Sequence, residues 1–588
     1  MSGLRPQFSP DNTHPAFSYG LNAPQAFAAA RAQAAALPVL EEARKRLLCV
    51  AMGFLACFLL ISGRLFDVMI FNPDAERSSS SSTLPAHVSR ADIVDRNGEL
   101  LATTLQLASL AADPAYVLDE KETLTKLKTV FPDLDVAALS KDMHSGKRFV
   151  WVKHSLTPRQ QEQVNRLGLP GLSFQNEERR IYPKGGLTAH IIGYNSVDQQ
   201  GLAGIEHSLN KRLTESQDSL PLSVDIRLQS LMHEALLDGM HKFDAIGGAG
   251  LIMDVETGEI LALVSLPDFD PNNPTQASDS ARFNRATLGA YEMGSTFKIF
   301  TISQALEKGV ITLADQFDCR KPLKFGRFEI HDFHPENRYL TVPEIFVYSS
   351  NIGAAQIIER VDGKDQKKYL GSLGLLDPSP IELSEVTKPL VPDVWRDINK
   401  VTIAYGHGLS VSAVQLASAA ASVINGGRLV KPTLLRRDHA PTDMPVVLSS
   451  NTSAAMRGLM RAVVLDGTGK SAEVKGYLVG GKTGTADKSA GGGYNRKSRL
   501  ASFIAAYPIH RPRYLVFAMI DEPKGNKGSH GYATGGWVAA PVVAKVIGES
   551  APLLRVAPVD ENDPLIMERL RLPGMIGGAK KQAAANAQ

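Results

Sequence analysis

An uncharged run of seventeen residues, Leu47 to Gly63, limits what this chain can fold into more than any other feature of its sequence. Apolar residues continue beyond Arg64 as far as Phe71. A run of this length can cross a bilayer as a helix, and it exceeds the apolar core of a cleaved signal peptide. No small-x-small cleavage site stands out beyond it. The sequence therefore predicts an uncleaved transmembrane anchor over residues 46–70, in preference to a buried helix.

Charge is distributed unevenly around the predicted anchor. Basic residues precede it, whereas both signs are mixed just beyond it: Arg31, Arg44, Lys45 and Arg46 on one side, and Arg64, Arg77, Asp67, Asp74 and Glu76 on the other. Basic residues favour the cytoplasmic side of a membrane. Residues 1–45, rich in Ala, Pro and Gln, are thus predicted to form a flexible cytoplasmic tail, and the remainder of the chain is predicted to lie across the membrane.

The composition is that of folded domains, because 44% of the residues are hydrophobic and 21% are charged. At 588 residues the chain is too long for one core, so two or three domains are expected. A net charge of +3 provides no footprint for nucleic acid. The three cysteines, Cys49, Cys57 and Cys319, cannot form a disulfide framework.

The region beyond the anchor is predicted to be multidomain α+β. A pedestal domain over residues 71–222 includes a hairpin, because Asn97-Gly98 lies between two apolar stretches. A larger domain over residues 223–552 follows, and residues 553–588 are predicted to form a flexible tail. No catalytic cluster is recognised in the pedestal.

The larger domain is predicted to begin with a helix near Ile226 and a hairpin around Glu256 to Glu259. Helical patterns dominate from Ser295 to about Val464, after which strand patterns return. Strands at both ends of a helical region indicate one antiparallel sheet with helices packed on both of its faces.

Ser295 and Lys298 form a Ser-x-x-Lys motif at the start of an apolar, helix-periodic run that ends at Gly309. Residues i and i+3 share a helix face, so the Lys298 amine is predicted to reach the Ser295 hydroxyl. A desolvated lysine loses its charge and can act as the general base for a serine nucleophile. A second copy, Ser208 to Lys211, is interpreted as an ordinary surface helix, so the motif alone does not establish a function.

A second motif, Ser349-Ser350-Asn351, lies in an apolar helical stretch. Its hydroxyl and amide groups can relay protons and hold an acyl chain. The same tripeptide at Ser449 to Asn451 precedes a helix and is interpreted as a capping segment. The first copy is open to the reading of a satisfied polar helix residue, but its position between the other two motifs favours a functional role.

A third motif, Lys482-Thr483-Gly484-Thr485, follows an apolar strand with glycines, where a ligand backbone can come close. The lysine supplies a positive charge, the threonines supply hydroxyls, and the Thr485 N–H can point at an oxyanion. These groups suit a substrate that ends in a carboxylate. Taken alone, the tetrapeptide is more readily interpreted as a plain edge-strand turn.

In this order, on a sheet-helix-sheet frame, the three motifs resemble those of the serine penicillin-recognising enzymes. The resemblance covers nearly the whole chain, because further segments also match: Asp95–Gly98, Gly204–Glu206, Tyr405–Gly408, Gly467–Gly469 and Gly535–Pro541. The chain looks like a class B penicillin-binding protein, a D,D-transpeptidase that cross-links peptidoglycan. Glu292 and Asn351 resemble the septal, cell-division members more than the elongation members, whereas Met293 replaces the usual proline.

The resemblance implies a role for each motif residue. Lys298 would deprotonate Ser295, which would attack the penultimate D-Ala carbonyl of a stem peptide and form an acyl-enzyme. Ser349 would pass a proton to the departing amine, and Asn351 would hold the acyl chain or Lys298. The Lys482-Thr483-Gly484-Thr485 segment would bind the terminal carboxylate, with the oxyanion between the N–H groups of Ser295 and Thr485. The resemblance calls for no cofactor and no metal ion.

The resemblance also implies location and partners. The chain would be a single-pass protein of the inner membrane with a periplasmic catalytic domain. It would bind peptidoglycan stem peptides and β-lactams, and it would work beside a membrane-embedded septal glycan polymerase and other division proteins. The alternatives are an elongation-type transpeptidase, a β-lactamase, and a catalytically silent scaffold or sensor. The anchor and large first domain disfavour a β-lactamase, and the intact motif set disfavours a silent protein.

Overall fold

The computed structural model describes residues 45–63, 90–196, 198–326, 328–490 and 493–572, without the side chains of residues 489, 490 and 493–497. The predicted cytoplasmic tail, apart from Lys45, lies outside the described residues. So do residues 64–70 of the predicted anchor and the last part of the predicted C-terminal tail, residues 573–588.

Helix α1, Lys45–Gly63, contains the uncharged run and is long and apolar enough to cross a membrane. Its large apolar side chains are exposed in the folded chain, including Phe54 at 75% and Phe58 at 72%. Burying such a side chain away from water is worth roughly 1.5–3 kcal/mol, so a helix of this kind is most stable inside a bilayer. The helix fits a single-pass membrane anchor.

The pedestal is a mixed sheet with short helices. Its strands are β1 (Ile93–Val94), β2 (Leu100–Ala112), β3 (Val150–Leu156), β4 (Leu172–Ile181) and β5 (Leu220–Pro221). Its helices are α2 (Glu120–Val130), α3 (Val136–Met143), α4 (Pro158–Leu167), α5 (Ala189–Ile192), α6 (Gly204–Ser208) and α7 (Asn210–Glu215). Strand β2 pairs antiparallel with β1, β3 and β4, and β1 pairs parallel with β5.

The hairpin predicted around Asn97-Gly98 is present between β1 and β2. Gly98 has φ 90°, a left-handed conformation that suits glycine. The Asp95 carboxylate accepts hydrogen bonds from the backbone N–H groups of Asn97, at 2.7 Å, and Glu99, at 2.9 Å. The turn is therefore held by its own side chain.

A buried ion cluster ties the start of the pedestal to helix α6. The Glu206 carboxylate accepts hydrogen bonds from Nε of Arg90 and, at 2.7 Å, from Nε of Arg180. The side chains of Glu206 and Arg180 are fully buried and that of Arg90 is nearly so. Arg180 also donates to the backbone oxygens of Arg90 and Ala91, at 3.2 and 2.8 Å, so the cluster fixes three separate segments.

The larger domain contains a five-stranded antiparallel sheet. Its strands, in spatial order, are β14 (Gly480–Ala490), β15 (Gly493–Tyr507), β16 (Tyr514–Asp521), β6 (Gly247–Asp254) and β7 (Ile260–Leu266). Shorter strands form two-stranded pairs: β8 (Tyr291–Glu292) with β13 (Ser410–Val411), β9 (Gln316–Asp318) with β12 (Tyr339–Thr341), and β10 (Leu323–Phe325) with β11 (Phe328–Ile330). The predicted hairpin is β6–β7, and β14 is one edge of the sheet.

Helices cover both faces of this sheet. They are α8 (Ile226–Lys242), α9 (Asp279–Arg282), α10 (Lys298–Glu307), α11 (Val342–Val347), α12 (Asn351–Glu359), α13 (Gly363–Ser372), α14 (Asp397–Ala404), α15 (Ala413–Ile424), α16 (Ser450–Leu465), α17 (Gly535–Leu553) and α18 (Pro564–Arg569). Alternation along β16 separates two cores. Val516, Ala518 and Ile520 pack with α8 and α17, while the intervening residues pack with the helices on the other face. The predicted α+β class with helices on both faces is confirmed.

The C-terminal segment is folded further than the sequence suggests. Helix α18 lies within residues 553–588, for which the sequence predicts a flexible tail. Ile566 is 8% exposed, Leu570 and Leu572 pack against the core, and Glu561 accepts from the Gly476 N–H at 2.6 Å. The apolar side chains in this polar segment are too few to form a recognisable helical pattern in the sequence. Leu570 and Leu572 are nevertheless partly buried, because they pack against Gly458 of α16.

Candidate active site

Ser295 lies in a 3₁₀ turn, Gly294–Phe297, and α10 begins at Lys298. The sequence predicts that the helix begins at Ser295, whereas in the structure it begins three residues later, after the 3₁₀ turn. Gly294 has φ 53°, its N–H donates to the Gly406 oxygen at 3.2 Å, and a Cβ on Gly406 would lie 1.9 Å from the Gly294 oxygen. The backbone before the serine is therefore held by close contact that a side chain would prevent.

The Lys298 amine is fully buried and lies at the centre of the three motifs. Its Nζ donates to Ser295 Oγ at 2.8 Å, to Asn351 Oδ1 at 2.7 Å, and to the Ser349 backbone oxygen at 2.9 Å. It also lies 3.2 Å from Ser349 Oγ. Burial lowers the pKa of Lys298 to about 7, against an opposing effect of the Asp332 carboxylate. The neutral amine is thus accessible near neutral pH.

A second buried lysine reaches the same hydroxyl from the sheet. Lys482 Nζ donates to Ser349 Oγ at 2.9 Å and lies 5.7 Å from the centre of the Phe346 ring. Burial, together with the charge of Lys298, holds the pKa of Lys482 well below its usual value. Ser349 itself has φ 60°, an uncommon conformation for a residue other than glycine. One strained serine therefore joins two buried amines.

Asp332 holds the second motif in place. Its carboxylate accepts from the Asn351 backbone N–H, from the Ile352 N–H at 3.0 Å and from Ser350 Oγ at 2.7 Å. It thereby supplements the N-cap of α12, Ser350, whose Oγ accepts from the Gly353 N–H at 3.0 Å. The neighbouring His331 oxygen accepts from Asn351 Nδ2 at 3.1 Å. Asn351 is thus fixed at its backbone and at its amide nitrogen, and its Oδ1 points at Lys298.

Strand β14 passes directly beside the nucleophile turn. A Cβ on Gly484 would lie 2.7 Å from the Met293 oxygen, and a Cβ on Gly294 would lie 2.5 Å from the Thr485 oxygen. Thr483 Oγ1 is 2.8 Å from Thr468 Oγ1, and Thr485 Oγ1 accepts from the Gly535 N–H at 3.1 Å. Small residues at both contact points permit this approach.

A cleft of about 510 Å³ opens over these groups. It is lined by Ser295, Ser349, Asn351, Thr483 and Thr485. Aromatic and charged side chains also line it, including Phe333, His334, His407, Asp487, Arg499 and Trp537. The eight residues that the sequence predicts for the site are thus brought together from α10, α12, β14 and the turns beside them.

Family models match both domains of the chain. A penicillin-binding protein transpeptidase domain matches residues 248–548, and a penicillin-binding protein dimerisation domain matches residues 85–225. A relative from Caulobacter vibrioides, named probable peptidoglycan D,D-transpeptidase FtsI, is 39% identical over 90% of this chain and 91% of its own length. The chain belongs to the class B penicillin-binding proteins of the FtsI type.

A second FtsI protein and a solved structure are also similar to this chain. The peptidoglycan D,D-transpeptidase FtsI of Escherichia coli is 28% identical over 88% of this chain and 92% of its own length. A crystal structure of penicillin-binding protein 3 from Mycobacterium tuberculosis, complexed with aztreonam, shares the fold with a TM-score of 0.63 and 23% identity. That likeness covers 80% of this chain and 97% of the other.

The second copies of the first two motifs, at Ser208 and at Ser449, lie outside the cleft that contains Ser295. Ser208 Oγ donates to the Glu382 oxygen at 2.7 Å, and Lys211 is exposed. Ser449 caps helix α16 by accepting from the Thr452 N–H at 3.2 Å, as predicted from the sequence. Both second copies therefore have ordinary structural roles.

Sequence reasoning missed two residues that hold the class B site together. Asp332 carries no local pattern that marks it as a cap, because it lies nineteen positions before Asn351. Thr468 belongs to the Gly467–Gly469 segment, but nothing in that segment indicates contact with Thr483. Across the described ranges, no group of three His, Cys, Asp or Glu side chains is arranged to hold a metal ion.

Proposed function

We propose that this chain is a peptidoglycan D,D-transpeptidase that cross-links stem peptides of the septal cell wall through an acyl-enzyme on Ser295. The observation that carries the proposal is the buried Lys298 amine, 2.8 Å from Ser295 Oγ, with a pKa lowered to about 7. Such an amine can accept the serine proton without a metal or a histidine. Family membership supports the reaction class.

In the acylation step, Ser295 Oγ attacks the carbonyl carbon of the penultimate D-alanine while Lys298 takes its proton. The bond to the terminal D-alanine then breaks, and its nitrogen needs a proton. Ser349 Oγ, 3.2 Å from Lys298 Nζ, is in position to relay that proton to the leaving amine. The negative charge on the carbonyl oxygen would rest between the N–H groups of Ser295 and Thr485, and the close approach of β14 at Gly294 supports this pairing.

Lys482, Thr483 and Thr485 would bind the terminal carboxylate of the stem peptide, with Gly484 allowing the strand to approach. The depressed pKa of Lys482 supports this role, because a buried amine beside another amine is stabilised as a cation when an anion binds. Asn351 would hold the acyl chain through its amide while keeping Lys298 in place.

The acyl group would then pass to the amine of a neighbouring stem peptide, which forms the cross-link and releases Ser295. A β-lactam presents an amide of similar shape and would acylate the same serine. The nitrogen that leaves the carbonyl remains part of the ring-opened molecule, which stays attached to the serine. The amine of a neighbouring stem peptide therefore does not take up the acyl group. A β-lactamase would instead release the product rapidly by hydrolysis.

Intact-protein mass spectrometry of the detergent-solubilised chain with a penicillin tests the proposal. We expect a long-lived adduct that peptide mapping places on Ser295, and we expect Ser295→Ala to remove it without altering the unfolding transition. Covalent labelling of the Ser295→Ala variant would refute the nucleophile. An adduct that forms and disappears within minutes would favour β-lactam hydrolysis, and none at all would favour a silent scaffold.

The proposal includes the predicted orientation and partners. The N-terminal tail would be cytoplasmic, the catalytic domain would be periplasmic, and a membrane-embedded glycan polymerase and division proteins would be its partners. The basic residues before the uncharged run Leu47 to Gly63 support this orientation. Depletion should yield filaments, whereas round cells would indicate the elongation role. Protease added outside spheroplasts should cleave the large domains and spare the tail.

A further inference from the structure

The segment Tyr405-Gly406-His407-Gly408 contributes Gly406 to the contact behind the nucleophile, but the acyl transfer described above gives no role to His407. Gly406 and Gly408 have φ 88° and 80°, so the chain turns sharply on both sides of the histidine. The His407 side chain is half-buried and lines the cleft that contains Ser295. A group that can take up a proton therefore faces the site of acyl transfer.

The backbone on either side of His407 is held against the residues that precede the nucleophile. The Gly406 oxygen accepts from the Gly294 N–H at 3.2 Å, and the Gly408 N–H donates to Glu292 Oε1 at 2.7 Å. Strands β8 and β13 pair directly beside these contacts. The imidazole is thus kept next to the nucleophile turn by contacts that its own ring does not make.

The surroundings of His407 favour a neutral ring that can accept a proton. Burial lowers the pKa of His407, and the charge of Lys298 acts in the same direction. The carboxylates of Glu292 and Asp487 oppose this effect, Glu292 more strongly. A neutral imidazole near a carboxylate is the arrangement of a general base, because the carboxylate stabilises the cation that forms.

The second half of the proposed reaction needs such a base. An ordinary side-chain amine has a pKa of about 10.4, so the acceptor arrives as an ammonium, which has no lone pair for attack. Lys298 is poorly placed to take that proton directly. Its amine is fully buried and surrounded, within 3.2 Å, by four oxygen atoms of Ser295, Ser349 and Asn351. His407, by contrast, lines the open cleft.

We propose that His407 is the catalytic base that takes a proton from the acceptor ammonium, and that Glu292 is a positioning residue that acts through Gly408 and through its charge. The inference rests on the proposed function, because it requires an acyl-enzyme on Ser295.

The protons and bonds of this step balance. The amine that His407 releases attacks the acyl carbon, a carbon–nitrogen bond forms, and the bond from that carbon to Ser295 Oγ breaks. Of the three protons on the ammonium, one goes to His407, one passes through Lys298 to Ser295 Oγ, and one stays on the new amide. His407 then loses its proton to water, which restores the enzyme.

Amine-dependent release from a preformed acyl-enzyme tests the inference on the full chain in detergent. A thioester donor forms the acyl-enzyme, which is then treated with an alkylamine, protonated at neutral pH, or with an aminooxy compound, which is neutral there. For His407→Gln we expect release by the alkylamine to slow about a hundredfold, a usual contribution of a general base, and release by the aminooxy compound to change little. An equal loss with both nucleophiles, or no loss with either, would overturn the inference.

Two further variants separate charge from structure. Glu292→Gln keeps an oxygen for the Gly408 N–H but removes the charge, and we expect a smaller loss that is again specific to the alkylamine. His233→Gln is the matched control, because His233 Nε2 pairs with the Asp268 carboxylate at 2.8 Å outside the cleft. It should leave both release rates unchanged, and a loss specific to the alkylamine in this variant would contradict the assignment to His407.

A pH profile of the unsubstituted chain tests the base without any variant. From about pH 8 to pH 10, above the titration of Lys298 and His407, we expect release by the alkylamine to be independent of pH, since the base and the ammonium are both in their reactive forms. Without a base on the enzyme, the rate would rise about tenfold per pH unit with the fraction of neutral amine, and such a rise would overturn the inference. Failure of the thioester to form an acyl-enzyme would instead refute the proposed function, and penicillin labelling of the same preparation identifies that case.

Discussion

At the residue scale, burial converts Lys298 from a cation into a base. Its amine keeps three close oxygen partners, yet the loss of water outweighs the nearby Asp332 charge, and its pKa falls to about 7. The spacing of Ser295 and Lys298 made their contact predictable from the sequence. The degree of burial was not predictable, because it depends on α12 and β14 closing over the amine from distant parts of the chain.

The titration of Lys298 gives a test of the base. The active form is the neutral amine, so the acylation rate is lost as the pH falls through the Lys298 pKa. With Lys482 and Asp332 as the other charged groups near it, we expect the second-order rate constant for penicillin acylation to fall about tenfold per pH unit below 7 and to level off above. A profile that stays flat from about pH 5 to pH 9 would exclude Lys298 as the base.

At the scale of elements, helix termini and glycine contacts hold the site. The three motifs were predicted to lie together, and they do. The cap that positions Asn351 could not be foreseen, since Asp332 comes from the loop between β11 and β12, far outside the helix that it caps. The start of α10 was predicted one turn early, because the Gly294 contact with Gly406 tightens the chain into a 3₁₀ turn.

Removal of the Asp332 carboxylate, which supplements the Ser350 N-cap of α12, tests this arrangement. Asp332→Ala is expected to lower the free energy of unfolding by about 1–2 kcal/mol and to slow acylation, because Asn351 loses its backbone anchor. Ser449→Ala is the matched control. It removes a cap from α16 and is expected to cost similar stability without slowing acylation. Equal acylation by both variants would show that the Asp332 cap does not position Asn351.

A pair of glycine substitutions tests the contact behind the nucleophile. Gly406 and Gly426 both have positive φ, 88° and 98°, so alanine strains the backbone at either position. At Gly406 the added Cβ would also meet the Gly294 oxygen at 1.9 Å, whereas at Gly426 nothing lies within 4 Å. We expect Gly406→Ala to lose acylation and about 1–3 kcal/mol more stability than Gly426→Ala, measured by denaturant unfolding. Comparable behaviour of the two variants would contradict this.

At the scale of the whole molecule, the α+β class and the antiparallel sheet followed from the order of the patterns along the sequence. The long-range polar contacts did not follow from these patterns. Glu206 meets Arg90 across 116 positions, and Glu385 accepts from the Gly204 N–H at 3.0 Å across 181 positions. No local spacing encodes such pairs. The domain boundaries at residues 222 and 552 stay predictions.

The contribution of the buried Glu206 cluster to the free energy of unfolding can be measured. Glu206→Gln leaves two buried guanidinium groups without their shared carboxylate, and we expect the free energy of unfolding to fall by about 3–5 kcal/mol. Glu162→Gln removes an exposed pair with Arg166 and should leave unfolding unchanged. A small effect at Glu206 would mean that the arginines are satisfied by their backbone partners alone.

The edge position of β14 has a consequence for inhibition and selectivity. A sheet edge presents amide groups to any extended backbone and discriminates poorly by itself. Beside Ser295, such an edge works as a template that a substrate completes as a sixth strand. The backbone contacts of β14 therefore do not distinguish one extended peptide from another. A change in β14 that prevents these contacts with an inhibitor would also prevent them with the natural substrate. Resistance to such an inhibitor has to arise in the side chains that surround the template.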